Sequence, residues 1–133
     1  MGYVLGQPNL HQHEGMQVAS ASVLYSDDGS PVTVCTLPAG AIVERVDRLV
    51  TAAFNDSGTD LLKVGIAAND DLFVETGDTT LTGTGFTSAV TPTVTPYYCA
   101  ASTPILAQYD GSNSDMTTGR VVVMVYFSLP KLS

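Results

Sequence analysis

The sequence predicts an all-β domain, a sandwich or a barrel of about eight strands. Apolar segments of strand length alternate with clusters of Gly, Pro, Asn, Asp and Ser from residue 17 onward. Only residues 41–54 fit a helical period, and they fit a strand period as well. The 133 residues are 44% apolar and 14% charged, a composition that supports one domain with its own core. We see no internal repeat and no linker that would divide the chain.

The first fifteen residues differ from the rest of the chain. Residues 7–15 are polar and lack any period, as a free tail would. Four apolar residues nevertheless stand in this segment: Tyr3, Val4, Leu5 and Leu10. We therefore predict an extended N-terminal arm over residues 1–15 that becomes ordered against a partner through these four side chains, and a β domain over residues 16–133. The start has neither the basic nor the apolar region of a secretory signal, so we expect a protein made and used in an aqueous compartment.

The first half of the domain contains four segments of strand length. Residues 18–25 and 32–37 are predicted as strands with a turn of Asp, Gly, Ser and Pro between them. Residues 41–54 would form either a helix with its charged residues facing water or a strand with every second residue from Ile42 on one face, and the flanking Gly and Pro favour the strand. The polar turn at 55–60 then predicts a hairpin between this strand and residues 61–66.

The second half is predicted to contain four more strands. They lie at residues 72–74, 97–101, 105–109 and 120–129. Residues 76–95 are rich in Thr, Gly and Pro, a composition that favours edge strands or long loops.

The last predicted strand is apolar on both faces. Its odd-numbered residues from Val121 to Phe127 face one way, and Val122, Met124 and Tyr126 face the other. A strand of this kind lies either in the centre of a closed structure or at an interface between subunits, which favours aromatic residues and Met. We predict Met124 and Tyr126 as interface residues.

Few residues suggest catalytic or metal chemistry. His11 and His13 are the only histidines and lie in the arm without further ligands nearby, so we expect neither a metal site nor a catalytic base there. The acidic loop at 110–115 has the oxygen ligands that Ca²⁺ prefers, but Asp and Asn also build turns, and we favour the turn. We expect no enzyme activity and no cofactor.

Charge and cysteines limit the remaining classes. The chain has 5 Lys and Arg against 13 Asp and Glu, a net charge of −8, which disfavours nucleic acid and anionic membranes as partners. Cys35 and Cys99 lie in apolar segments, and we expect two buried free thiols. Tyr97 and Tyr98 could stack on a sugar, but they face opposite ways in a strand and the chain has no Trp.

Three stretches of the sequence resemble small structural proteins of tailed bacteriophages. They are a Leu-Pro-Ala-Gly entry to a long strand at 36–43, an aromatic-Asn-Asp-Ser-Gly-Thr-Asp turn with a strand that ends in Val-Gly at 53–65, and a final apolar strand at 119–127.

This resemblance implies a single β-sandwich of jelly-roll type. It further implies a capsid decoration (cement) protein, made in the host cytoplasm, that binds the major capsid protein on the outside of the assembled head and forms a homotrimer. Another virion component, such as a head-fibre or tail protein, or a carbohydrate-binding module remains the alternative.

Overall fold

The computed structural model describes residues 15–75, 81–88 and 95–130, and the predicted arm lies outside these ranges except for Gly15. A short 3-10 turn, Tyr25–Asp27, follows the first of nine strands. The strands are β1 (Gln17–Leu24), β2 (Val32–Leu37), β3 (Ile42–Ala52), β4 (Asp60–Ile66), β5 (Asn69–Val74), β6 (Gly85–Ser88), β7 (Tyr97–Tyr98), β8 (Thr103–Gly111) and β9 (Arg120–Ser128). Within the described residues, no helix is long and apolar enough to cross a membrane.

The nine strands form two antiparallel sheets. The first sheet has the order β1-β9-β3, with β6 and β7 both paired to the far edge of β3, and the second has the order β2-β8-β4-β5. The pairs are nested along the chain: β1 with β9, β2 with β8, β3 with β6 and β7, and β4 with β5. This is the chain path of a jelly roll, so the predicted β-sandwich is confirmed.

The core lies between the two sheets and is built from alternate residues of the long strands. Val121, Val123 and Val125 of β9 are fully buried, as the alternation in the sequence predicts. Val46 and Val50 of β3 lie beside them in the same sheet, and Ile105, Ala107 and Tyr109 of β8 are buried on the second sheet. The inward face of the last predicted strand is therefore the centre of the core.

Within residues 41–54 a strand forms at Ile42–Ala52, but the predicted face is wrong at both ends, because Ile42 and, after a second register shift beyond Val50, Ala52 point outward. A β-bulge lies between Val43 and Arg45 where β3 pairs with β9. The extra residue reverses the phase of the alternation, so that Val43 points inward with Val46 and Ile42 points outward. A period-two reading cannot detect such an insertion, because it assumes one uniform alternation.

The predicted hairpin between β3 and β4 is wrong. β3 belongs to the first sheet and β4 to the second, so residues 53–59 cross from one sheet to the other. Turn residues report that the chain reverses, but they do not report which strands pair afterwards. β6 is a further strand inside the Thr- and Gly-rich segment, where it forms an edge of the first sheet.

Candidate interaction surface

The outward side of the first sheet, which we call the first-sheet face, brings together side chains from strands that are distant in sequence. Strand register defines three rows across it. They are Val18, Tyr126 and Arg45; Ser20, Met124, Asp47 and Ser88; and Ser22, Val122, Leu49 and Phe86. Residues paired across antiparallel strands point to the same side of a sheet, so each row forms one continuous strip of surface.

The first-sheet face exposes large apolar side chains. Among the described residues, four strand residues have a large apolar side chain that is substantially exposed: Val18 (54%), Leu24 (39%), Phe86 (58%) and Tyr98 (62%). All four lie on this face by register. A concentration of exposed apolar side chains on one face indicates an interaction site rather than ordinary surface.

The outward side of the second sheet has a different character. It carries polar and charged residues such as Thr33, Lys63 and Gln108, and Lys63 Nζ lies 2.9 Å from Asp70 Oδ2. That ion pair raises the pKa of Lys63. The apolar exposure is thus specific to one of the two sheets.

A charged pair lies within the first-sheet face. Asp47 is completely buried, and its Oδ2 accepts a hydrogen bond from Arg45 Nε at 2.9 Å. The Arg45 guanidinium carbon lies 4.1 Å from the centre of the Tyr126 ring, a cation–π contact. The hydrogen bond with Asp47 raises the pKa of Arg45, and half of the Arg45 side chain remains exposed.

A second basic residue stands at one margin of the same face. Arg120 is exposed and donates to Ser22 Oγ at 2.9 Å and to Thr51 Oγ1 at 3.3 Å. Glu44 at the opposite margin is half-buried and accepts a hydrogen bond from Ser128 Oγ at 3.1 Å. The most exposed charged residues of this face, Arg45 and Arg120, are therefore cationic, although the whole chain has a net charge of −8.

Acidic residues concentrate instead at the end of the sandwich where β1, β3 and β8 finish, which we call the loop end. Asp56 is the centre of a hydrogen-bond network there. Its Oδ2 accepts from the backbone N–H of Gly58 at 2.8 Å and of Asn113 at 3.0 Å, and its Oδ1 accepts from the N–H of Asp115 at 3.2 Å. Burial alone would raise the pKa of Asp56, but these N–H donors outweigh it and hold the pKa below its usual value.

Further carboxylates fasten the same loops together. Asp115 Oδ1 accepts from the backbone N–H of Ser57 at 2.8 Å, and Asp28 Oδ1 accepts from the N–H of Gly111 at 2.8 Å. The acidic loop at 110–115 is thus bound by hydrogen bonds to neighbouring loops. No group of three or more metal-ligating side chains is found within residues 15–75, 81–88 and 95–130.

A buried pair lies beneath this network. The hydroxyl of Tyr109 donates to Asp60 Oδ1 at 2.5 Å, and the Tyr109 ring packs on Phe54 with 4.4 Å between ring centres. Burial and the adjacent carboxylate raise the pKa of Tyr109. The hydrogen bonds and ring contacts of the loop end therefore stabilise the sandwich, and we call this set of contacts the loop-end lock.

The two cysteines are unbridged. Cys99 is buried and Cys35 is half-buried. Burial, together with the proximity of Cys99, raises the pKa of Cys35 to about 11, and burial also raises the pKa of Cys99. Their environments are those of unreactive core thiols.

The structure places the residues that the sequence singles out in three settings. Met124 and Tyr126 are half-buried on the first-sheet face. Tyr97 points inward and packs edge-on against Phe73, whereas Tyr98 points outward, so the two do not form a stacking platform. The arm residues Tyr3, Val4, Leu5 and Leu10, and the two histidines, lie outside the described residues.

Sequence reasoning did not find Arg45, Asp47, Phe86 and Tyr98 as members of this face. Alternation along β3 already sets Arg45 and Asp47 opposite Val46 and Val50, but the sequence does not show that β3 pairs with β9 and so brings them beside Tyr126 and Met124. Phe86 lies in a segment without alternation, and the only feature that could have marked it as a surface contact is its aromatic side chain among Thr and Gly residues.

Comparison with known proteins gives matches in structure but none in sequence. Neither the models of protein families nor the curated proteins match this chain. A chain of the cyanophage Pam1 capsid asymmetric unit superposes with a TM-score of 0.68 and 23% identity, over 90% of this chain and 88% of that one. A chain of the acid-stable capsid of Helicobacter pylori bacteriophage KHP30 superposes with a TM-score of 0.64 and 20% identity, over 90% of this chain and 91% of that one.

The fold is one that phage capsids contain. Both superpositions span nearly the whole of each chain, so this chain has the size of those capsid chains as well as their topology.

Proposed function

We propose that this chain is a structural protein of a bacteriophage virion that decorates the outside of the capsid. The single observation that carries the proposal is the whole-chain superposition on chains of two phage capsids. The exposed apolar side chains of the first-sheet face agree with a binding role.

The partner in this proposal is the major capsid protein, together with further copies of the chain in a homotrimer. A protein that binds only the assembled head adds its binding free energy to the stability of the lattice. Many copies at symmetric positions multiply this effect. The exposed apolar face supplies the kind of surface that such binding requires, with Met124 and Tyr126 within it.

The arm is assigned a second contact. Its residues Tyr3, Val4, Leu5 and Leu10 would pack on a neighbouring subunit, since apolar side chains in an aperiodic segment gain little by remaining in water.

The test uses heads of the phage that encodes this chain, assembled without it. The purified full-length protein should sediment with these heads and raise the temperature at which they release DNA. Serine substitutions at Tyr3 and Leu5 should weaken sedimentation, and substitutions at the polar arm residues Gln7 and Gln12 serve as the matched control. Binding to isolated tails or fibres and not to heads would favour another virion component and would contradict decoration.

Light scattering tests the homotrimer. The proposal expects a mass near three times 13.9 kDa for the full-length chain. A mass of one chain at all concentrations would reject a preformed trimer, and trimers would then have to form on the head.

A further inference from the structure

Arg45 is held in a fixed orientation on the first-sheet face. Asp47 binds its Nε atom at 2.9 Å from one side, and the Tyr126 ring supports the guanidinium from below at 4.1 Å. Half of the side chain still meets solvent. A guanidinium fixed in this way presents its outward N–H donors as a preorganised fork, which is the geometry that binds a carboxylate with two parallel hydrogen bonds.

Asp47 is an unusual residue at this place. It is completely buried, and its Oδ1 has no hydrogen-bond partner among the residues that the structure describes. Burying a carboxylate with an unpaired oxygen is costly. The ion pair that orients Arg45 explains why an acidic residue occupies this position, and Asp47 is therefore a positioning residue.

We propose that the first-sheet face is the surface that docks on the capsid shell, and that Arg45 pairs there with a carboxylate set in an apolar area of the shell protein. This inference rests on the proposed decoration function and specifies which face carries it. Tyr126 and the exposed Val18 share a row of the face with the arginine, and interface arginines beside such apolar side chains often carry a large share of the binding energy.

The proposal takes a different protein as the partner rather than a second copy of this chain. Two copies packed face to face would place the arginines of both in one interface, while Asp47 is buried and Glu44 only half-exposed. The loop end of a second copy is acidic, but Asp28, Asp56 and Asp115 already accept hydrogen bonds from backbone N–H groups there. Glu75, directly after β5, is exposed, so a contact of Arg45 with Glu75 of a second copy is the alternative that the solution mass below tests.

The experiment measures the affinity of the full-length chain for heads assembled without it, at low and at high salt. Arg45→Gln should weaken binding by about 10- to 100-fold, the loss expected for one charge-assisted hydrogen-bonded pair. Lys63→Gln removes the same charge from the other sheet and should bind as the unmodified chain does. Arg45→Lys keeps the charge but loses the two parallel N–H donors of the guanidinium, so its affinity should lie between that of Arg45→Gln and that of the unmodified chain.

A second variant tests the positioning role of Asp47. Asp47→Asn leaves Arg45 in place but removes the ion pair that orients it, so the affinity should fall while the arginine remains available to bind.

The salt dependence of binding should also become weaker for Arg45→Gln, because one ion pair fewer forms on docking. A purely structural role for Arg45 would leave that dependence unchanged.

Three outcomes would overturn the inference. Equal affinities for Arg45→Gln and Lys63→Gln, with tight binding by the unmodified chain, would refute the docking face and leave the decoration function intact. A fall in the solution mass of Arg45→Gln alone would show that the face joins copies of this chain. No binding by the unmodified chain would refute the decoration function and this inference together.

Discussion

Replacing Tyr109 with Phe tests whether the loop end is a lock that stabilises the sandwich. The substitution removes one oxygen from a fully buried side chain and leaves the ring in contact with Phe54. Asp60 Oδ1 then keeps only the backbone N–H of Asp56, at 3.3 Å, and Asp60 Oδ2 already has no partner among the described residues. A buried carboxylate thereby loses its closest donor.

The expected loss follows from that hydrogen bond. Hydrogen bonds to charged groups contribute about 1.5–3 kcal/mol to stability. For a chain of 133 residues, the entropy of unfolding near the midpoint is roughly 0.28 kcal/mol/K. The melting temperature of Tyr109→Phe should therefore fall by about 5–11 °C.

Thermal unfolding followed by circular dichroism at neutral pH measures this shift. Tyr97→Phe is the matched control, because it deletes the same atom from a half-buried ring whose hydroxyl bonds to no described residue, and it should melt within about 1 °C of the unmodified chain. A shift of that small size for Tyr109→Phe would refute the lock.

Alkaline pH gives a second test, of the burial of Tyr109 beside Asp60. The pKa of Tyr109 is raised in the folded state, whereas a tyrosine in the unfolded chain ionises near pH 10. Above about pH 10 the unfolded state releases this proton first, so stability falls as pH rises. The melting temperature of the unmodified chain should fall more steeply there than that of Tyr109→Phe, and parallel curves would contradict the assignment.

Three further predictions concern single positions. Gly119→Ala should lower the free energy of unfolding by about 1–3 kcal/mol, because the φ of Gly119 is +149° and a Cβ there would lie 2.3 Å from the Phe54 ring. Gly83 has open space around it, so Gly83→Ala is the control and should leave the melting temperature unchanged. Cys35, with its pKa near 11, should react with a thiol reagent at about pH 8 at least about 100-fold more slowly in the native protein than in denaturant. The lowered pKa of Asp56 adds stability above about pH 4 that is lost on acidification, so Asp56→Asn should lower the melting temperature at neutral pH and flatten its fall in acid.

The strands were predictable because local patterns determine them. The alternation from Val121 to Phe127 identifies the inward face of β9, and the turn residues on either side of β2 predict its first and last residues correctly.

The pairing of strands was not predictable in the same way. Each strand of the first half pairs with one of the second half across up to about a hundred residues, and nothing in a turn such as 55–60 encodes that choice.

The candidate surface was predictable only in part. Met124 and Tyr126 could be placed on one face because β9 is regular, and the structure adds the exposed side chains of Phe86 and Tyr98 to the same face. Arg45 lies on the side of β3 opposite Val46 and Val50, as alternation predicts, but the sequence does not show that β3 pairs with β9 and so brings Arg45 over the Tyr126 ring. Strand pairing between distant segments is decided by tertiary packing, and no local propensity predicts it.

The net charge of the chain opposes unspecific association through such a face. An exposed apolar sheet face promotes association between copies, but a net charge of −8 makes the copies repel each other at short range. That repulsion is screened beyond about 8 Å at physiological salt, so it opposes close random contacts and leaves long-range diffusion unaffected. A partner that offers a carboxylate is attracted locally by the Arg45 guanidinium. A chance contact between the acidic loop ends of two copies has no such attraction. The net negative charge thus disfavours unspecific association between copies, and Arg45 still permits one oriented contact with a partner that carries a carboxylate.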